Sequence, residues 1–453
     1  MAETFNVAEF VIPGTYVRVR AEGLISAGGI STGNVGIVGT ARPTDVLHAA
    51  SGRPIPVPAD SAGDFVSVNA EGIPVVTNGV LQTTDSTTGT ILQTDEDTPQ
   101  NVVIRAEDEG RLIVVDSDGL PVLDGARLVT RNLYGTTHLF SDYATAQATL
   151  GPYDANSTGR FNLTRAMEVL FRNGARTVYA RALNLQANDT PPGNASYTAA
   201  FNELLKENVN ILTAPELTTT NAINVLQSLL ETAENNGQDL LAVVGSDASA
   251  PGDITDQVVA NDRLILVAPG IQAYDSTAGV DVTLSGTYSA AVVAGLLGTL
   301  TPQSSPTNKA IVGVTKLSQR FSYSETKDLI TGGVFVMEER LGVRAVRGIT
   351  TEMASNGPFK QITTRRIVDF AKAGIRQVSN PFIGRLNNQR VRKALQGAID
   401  GFLTTMVQDE ALTEYALEVT ATRDDEIAGR AIVNAILKPT FSIDFIAVTL
   451  TLQ

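Results

Sequence analysis

One stretch of the chain has the spacing of a nucleophile motif. Gly29-Ile30-Ser31-Thr32-Gly33 fits G-x-S-x-G, in which a serine on a tight turn presents its hydroxyl for acyl transfer. That elbow needs a strand before it and a helix after it, but here the strand-like run NVGIVGTA follows the serine. A general base is also scarce. His48 and His138 are the only histidines, and His138 runs into Leu139 and Phe140, the setting of a structural ring. A second candidate is made of carboxylates. DSDGLPVLDG places Asp116, Asp118 and Asp124 near one another, but Leu120 stands where a calcium loop wants an oxygen ligand, so a β-turn is the plainer reading. Asp95-Glu96-Asp97 reads as a solvated loop. Neither G-x-x-x-x-G-K-[ST] nor G-x-G-x-x-G occurs, so no glycine-rich loop is set to cradle phosphate. The absence of cysteine excludes disulfides and thiolate metal sites. No nucleophile, base and oxyanion hole assemble from these parts. The expectation is a protein that is not an enzyme, with no cofactor and no bound metal. The competing class is an α/β hydrolase-like enzyme around Ser31, or a metal-dependent one around Asp116 and Asp118.

Charge offers a different chemistry. The chain carries a net −14, unevenly spread. Residues 43–128 hold 4 basic and 14 acidic residues, whereas residues 365–393 hold 8 basic and 1 acidic. Arg385, Arg390, Arg392 and Lys393 crowd the start of one predicted helix, where they oppose its dipole. An acidic partner at that point would relieve the cost. Nucleic acid fits poorly, because the run lacks interleaved aromatics for stacking and the molecule as a whole repels phosphate.

The elements that would carry these groups form a pattern. The 453 residues allow about two to four domains, and 43% hydrophobic residues supply a sizeable core. Residues 1–20 read as an extended arm that ends in the alternating TYVRVR. Residues 21–42 and 129–345 alternate buried strands with helices, which implies a mostly parallel sheet covered on both faces. Residues 43–128 lose helical periodicity and read as a small inserted all-β domain, with short β-rich runs between Gly, Asp, Ser and Thr clusters. Residues 346–453 form an α+β region. It holds a largely helical basic run, two alternating segments at 414–422 and 430–437 joined by the polar turn RDDEIAG, and the apolar alternating strand FSIDFIAVTLTL. A strand of that kind with an open edge invites pairing with another chain. The first residues show no basic-then-apolar leader, and no apolar run reaches the length of a membrane span. A soluble product made in a cytoplasm is the expectation. A surface-layer or adhesin role fits less well without a leader.

The order of segments resembles the tail sheath proteins of contractile bacteriophages and related injection machines. The resemblance rests on PGTYV, VGIVGTA, the run from 139 to 183, VNILTAPE, LILVAP, SAAVVAGLLG, SPTNKAIVGV, RGITT, RRIVDF and PFIGRLN, in that order. It covers nearly the whole chain outside residues 43–128, which in this family vary and decorate the outside. The resemblance implies a structural subunit that polymerises with itself as stacked rings around an inner tail tube and contracts to drive that tube through a cell envelope. It implies further partners in baseplate and tail terminator proteins. It also implies a location in the virion tail, after assembly in the host cytoplasm, with no nucleic acid bound and no membrane insertion. A headless bacteriocin or injection system is the variant reading. Carried onto this chain, the tube-facing patch is Arg385, Arg390, Arg392 and Lys393. The strands exchanged between copies are the arm with Tyr16, Val17 and Val19, and the tail with Phe445, Ile446, Val448, Leu450 and Leu452.

Overall fold

Runs such as LAVVG and LILVA are apolar at every position, so a strand built from them must bury both faces. A computed structural model of the chain describes residues 30–41, 134–151, 153, 162–183, 190–276, 278–353 and 357–451, together with the backbone of short strands between 55 and 132. The described part divides into two compact units, Ser31–Phe370 with Phe441–Gln453, and Ala371–Thr440.

The larger unit opens with β1 (Val35–Thr40). The short strands β2 (Ile55–Pro56), β3 (Val76–Thr77), β4 (Val80–Leu81), β5 (Asn101–Val102), β6 (Arg111–Ile113), β7 (Leu123–Asp124), β8 (Arg127–Leu128) and β9 (Thr130–Asn132) follow, paired antiparallel as β2–β5, β3–β4, β6–β9 and β7–β8. Then come β10 (His138–Phe140), α1 (Tyr143–Leu150), α2 (Leu163–Arg172), β11 (Val178–Leu183), α3 (Asn194–Leu204), β12 (Ile211–Thr213), α4 (Thr219–Asn235) and β13 (Leu241–Gly245). The unit continues through α5 (Pro251–Asp256), β14 (Leu264–Ala268), β15 (Ile271–Asp275), β16 (Val280–Leu284), α6 (Ser289–Thr299), β17 (Lys316–Leu317), α7 (Tyr323–Thr331), β18 (Val334–Glu339) and β19 (Val343–Ala345).

One sheet runs β10-β11-β1-β12-β13-β14-β18-β19. Its inner strands are parallel, and an antiparallel strand closes each edge. Side chains alternate across it with period two. Ile37, Val243, Ile265 and Phe335 join the core on one face with α1, α2 and α6. Val38, Val244, Leu266 and Val336 join the other core with α3, α4 and α7. This is the covered, mostly parallel sheet expected from the sequence. Helix α6 is made of small and branched residues and lies almost wholly buried. It can approach closely because Gly295 has no side chain: a Cβ there would stand 2.4 Å from the Leu170 carbonyl oxygen of α2.

α8 (Ile362–Ser379) begins in the larger unit and ends in the smaller. The smaller unit continues with α9 (Gln389–Gln408), β20 (Leu412–Thr420), α10 (Arg423–Ile427) and β21 (Ile432–Pro439). Gly374 admits the ring of Phe402 from α9, and a Cβ there would collide with it at 1.9 Å. Strands β20 and β21 form a two-stranded antiparallel hairpin. The polar turn expected between them is instead the short helix α10, started by a capping box in which Thr422 and Asp425 satisfy each other's backbone N–H.

Candidate functional site

Among the described residues, the chemistry-bearing groups of the sequence do not converge. Ser31 lies ahead of β1, and its hydroxyl donates to Asn210 Oδ1 at 3.1 Å. The ring of His138 pairs with Thr136 Oγ1 at 3.0 Å and stacks on Phe140. His48, Asp116 and Asp118 lie outside the described residues, and Asp124 falls in β7. Among the described residues no group of three or more His, Cys, Asp and Glu is placed to hold a metal, and no helix is long and apolar enough to cross a membrane.

Open parallel sheets usually bind ligands beyond the C-terminal ends of their strands. Here that edge bonds to itself. Asp247, just past β13, accepts from Thr219 Oγ1 at 2.7 Å and from Gln257 Nε2 at 2.6 Å, and Ser246 donates to Gln257 at 2.6 Å. Past β12, Glu216 accepts from the Thr40 amide at 2.8 Å and the Thr40 hydroxyl at 2.6 Å. Burial pushes the Glu216 carboxyl up to about 7, and the Thr40 hydrogen bonds only partly oppose it. Thr40 is the last residue of β1, so this carboxyl pins the strand end that leads into the acidic segment 43–128.

The basic run splits into buried and outward-facing parts. Arg365 pairs with Asp262 at 3.0 Å and Asp369 at 2.6 Å, and lies 4.2 Å from the ring centre of Phe359. Arg263 joins this network through Glu234, Asp239 and Asp369 at 2.9–3.0 Å. Arg366 donates to the carbonyls of Leu300 at 2.8 Å and Thr32 at 3.1 Å, and burial lowers it to about 10. Through these bonds Arg365 and Arg366 tie the start of α8 into the larger unit.

The residues expected to meet a partner lie at the start of α9, which Asn388 caps by accepting from the Val391 amide. Arg385, Arg390 and Lys393 are exposed there. Arg392 is not: it turns inward to Glu426 of α10 at 3.0 Å and to Asn387 at 2.9 Å. It therefore fastens α10 to the loop before α9 and belongs to the scaffold of the patch. The same loop exposes Ile383 and Leu386, which charge counting missed.

The tail is the other surface. Residues 441–451 form no strand, and none of their backbone groups pairs with another backbone group among the described residues. Phe445, Ile446, Val448 and Leu450 are 73–86% exposed. Leu452 and the arm residues Tyr16, Val17 and Val19 lie outside the described residues. The hairpin has a matching deficiency. Tyr415, Leu417, Val433, Ala435 and Leu437 share its inner face, yet each keeps part of its surface in solvent. Among the described residues neither outer edge of the hairpin is paired.

The family model for the phage tail sheath protein central domain matches residues 191–351, and that for the phage tail sheath C-terminal domain matches residues 354–453. No curated protein sequence matches the chain. Solved structures do. The contracted helical sheath of the anti-feeding prophage is 19% identical with a TM-score of 0.57, over 70% of this chain and 88% of that one. The contracted sheath complex of PVC, an extracellular contractile injection system, is 16% identical with a TM-score of 0.57, over 70% and 87%. The sheath tail protein Lin1278 from Listeria innocua is 13% identical with a TM-score of 0.50, over 91% and 93%.

Proposed function

The chain belongs to the phage tail sheath protein family, and from that premise we propose that it is a structural subunit that polymerises helically around an inner tube and contracts to drive the tube through a cell envelope. One observation carries the assembly mechanism: an exposed apolar tail without backbone partners accompanies an unfinished two-stranded hairpin. Each copy donates its tail to the hairpin of a neighbour, and the arm around Tyr16, Val17 and Val19 supplies a further strand. Main-chain hydrogen bonds give this pairing its strength and the alternating side chains give it register. Because the surfaces that meet are different, the contact repeats as rings and helices. Contraction moves subunits as near-rigid bodies from a metastable lattice to one with larger interfaces, while the donated strands keep the mesh connected.

Arg385, Arg390 and Lys393 face an acidic surface of the tube, with Ile383 and Leu386 adding apolar contact beside them. Each exposed ion pair contributes only about 0–1 kcal/mol and is screened by salt, so the grip is the sum over many subunits. Co-assembly with tube tests the reading. The triple variant Arg385→Glu, Arg390→Glu, Lys393→Glu should still form sheath polymer but leave the tubes bare, and sheath of the parent chain should leave the tube more readily as salt rises. Normal tube-filled sheaths from the triple variant would contradict the contact.

A further inference from the structure

The sequence FSIDFIAVTLTL holds one charge, Asp444, and the larger unit surrounds it. Its carboxylate is only 6% exposed. It accepts from Arg347 Nε at 2.8 Å, Gln361 Nε2 at 3.1 Å, Ser442 Oγ at 3.2 Å and Thr307 Oγ1 at 3.4 Å. Gln361 also accepts from the Ser442 amide at 3.3 Å, so one glutamine holds the tail through its backbone and through Asp444. The Arg347 guanidinium lies 5.1 Å from the ring centre of Phe445. Beyond it, Ile446, Val448 and Leu450 stand 73–86% exposed.

If the tail needed only to be sticky, an apolar residue at 444 would serve it better. A buried ion pair costs desolvation and often contributes little net stability, and its best-attested use is to fix register. Asp444 sits where register must be fixed, at the boundary between held and unheld chain. We propose that Asp444, Arg347, Gln361 and Thr307 form a clasp that sets the point at which the donated strand leaves its own subunit, so that residues 445–451 reach the hairpin of a second copy in a single register. This rests on the strand-exchange reading above. The lengths agree: seven residues at ~3.3 Å each span ~23 Å, close to the eight residues of β21. As a strand they would place Ile446, Val448 and Leu450 on one face, which extends the half-covered inner face of the hairpin. The clasp also takes the load when neighbours move apart, because tension along the strand ends on Arg347 and Gln361 instead of on the backbone of the hairpin.

The chain has no cysteine, so single nitroxide labels can be placed in the full-length protein without other changes. Ile443→Cys puts an outward-facing label between the two held residues, and Thr449→Cys puts one in the exposed tail. In the monomer the label at 443 should be restricted and the label at 449 mobile. Asp444→Asn, and separately Arg347→Gln, should make the label at 443 as mobile as that at 449 while the thermal melt stays cooperative. A label at 443 that remains restricted in both variants, or one at 449 already restricted in the monomer, would overturn the clasp. On polymerisation of the parent the label at 449 should become restricted. If it stayed mobile, strand donation would fall, and the result at 443 would still judge the clasp.

Discussion

Deleting residues 446–453 should leave a folded monomer that cannot polymerise. The described part of this segment makes no backbone hydrogen bond among the described residues, and its large apolar side chains face solvent, so its loss removes little from the fold. Its contribution to assembly is larger. Burying Ile446, Val448 and Leu450 against a neighbour gains about 1.5–3 kcal/mol each, while ordering the strand costs about 1–2 kcal/mol per residue. Apolar burial alone therefore does not exceed the ordering cost, and the junction closes only with the main-chain hydrogen bonds of the added strand, which truncation removes at every junction. Sedimentation should show only monomer across the concentrations at which the parent polymerises, with an unchanged circular dichroism spectrum. Tubular polymer from the truncated chain would mean that the tail is not the link between copies.

Replacing Glu216 by glutamine should stabilise the monomer above neutral pH and leave it nearly unchanged in acid. The carboxyl titrates at about 7 in the folded chain and at its ordinary value of 4.5 when unfolded. Below 4.5 both states hold the proton and no penalty exists. As pH rises from 4.5 to 7 the unfolded chain releases the proton first, so stability falls, and above 7 the full penalty applies. A shift of that size corresponds to about 3 kcal/mol, and the solvent contact that the residue retains reduces the expected gain to about 2 kcal/mol. Glutamine mimics the protonated acid and keeps a partner for Thr40. Urea unfolding at pH 4.5 and pH 8 measures the difference. An equal effect at both pH values, or destabilisation at pH 8, would show that the carboxyl is not held near neutrality.

Most of the sheet was legible because its strands are short apolar runs between turn residues, a pattern that few other structures produce. The apolar runs on either side of Leu341-Gly342 fold as the antiparallel pair β18 and β19. α1 is capped by Asp142, which accepts from the Thr145 amide. α7 was missed although its capping box, Ser322 with Glu325, is written in the sequence. The hairpin of β15 and β16 was also missed, with Gly279 at φ +71° marking its turn. Charge was harder to read, because a net count does not say which way an arginine points. Arg365 and Arg366 contribute to the basic run as Arg385 and Arg390 do, yet their partners Asp262, Thr32 and Leu300 are remote in sequence. The pairing of Arg392 with Glu426 is equally long-range. The clasp left one trace, a lone aspartate in an apolar run, whose meaning needed the positions of Arg347 and Gln361. The proposed assembly surface rests on apolar alternation in the tail, where period two says which side chains would face a partner strand.

In the proposed assembly each subunit completes its sheet only with strands from other copies. A helical reconstruction of the polymer formed by the full-length chain tests it most directly. Residues 445–451 should appear as an added strand on the β20–β21 hairpin of a neighbouring copy, with Asp444 still held by Arg347 of its own chain. Density in which the same residues fold back onto their own subunit, with no strand passing between copies, would contradict it.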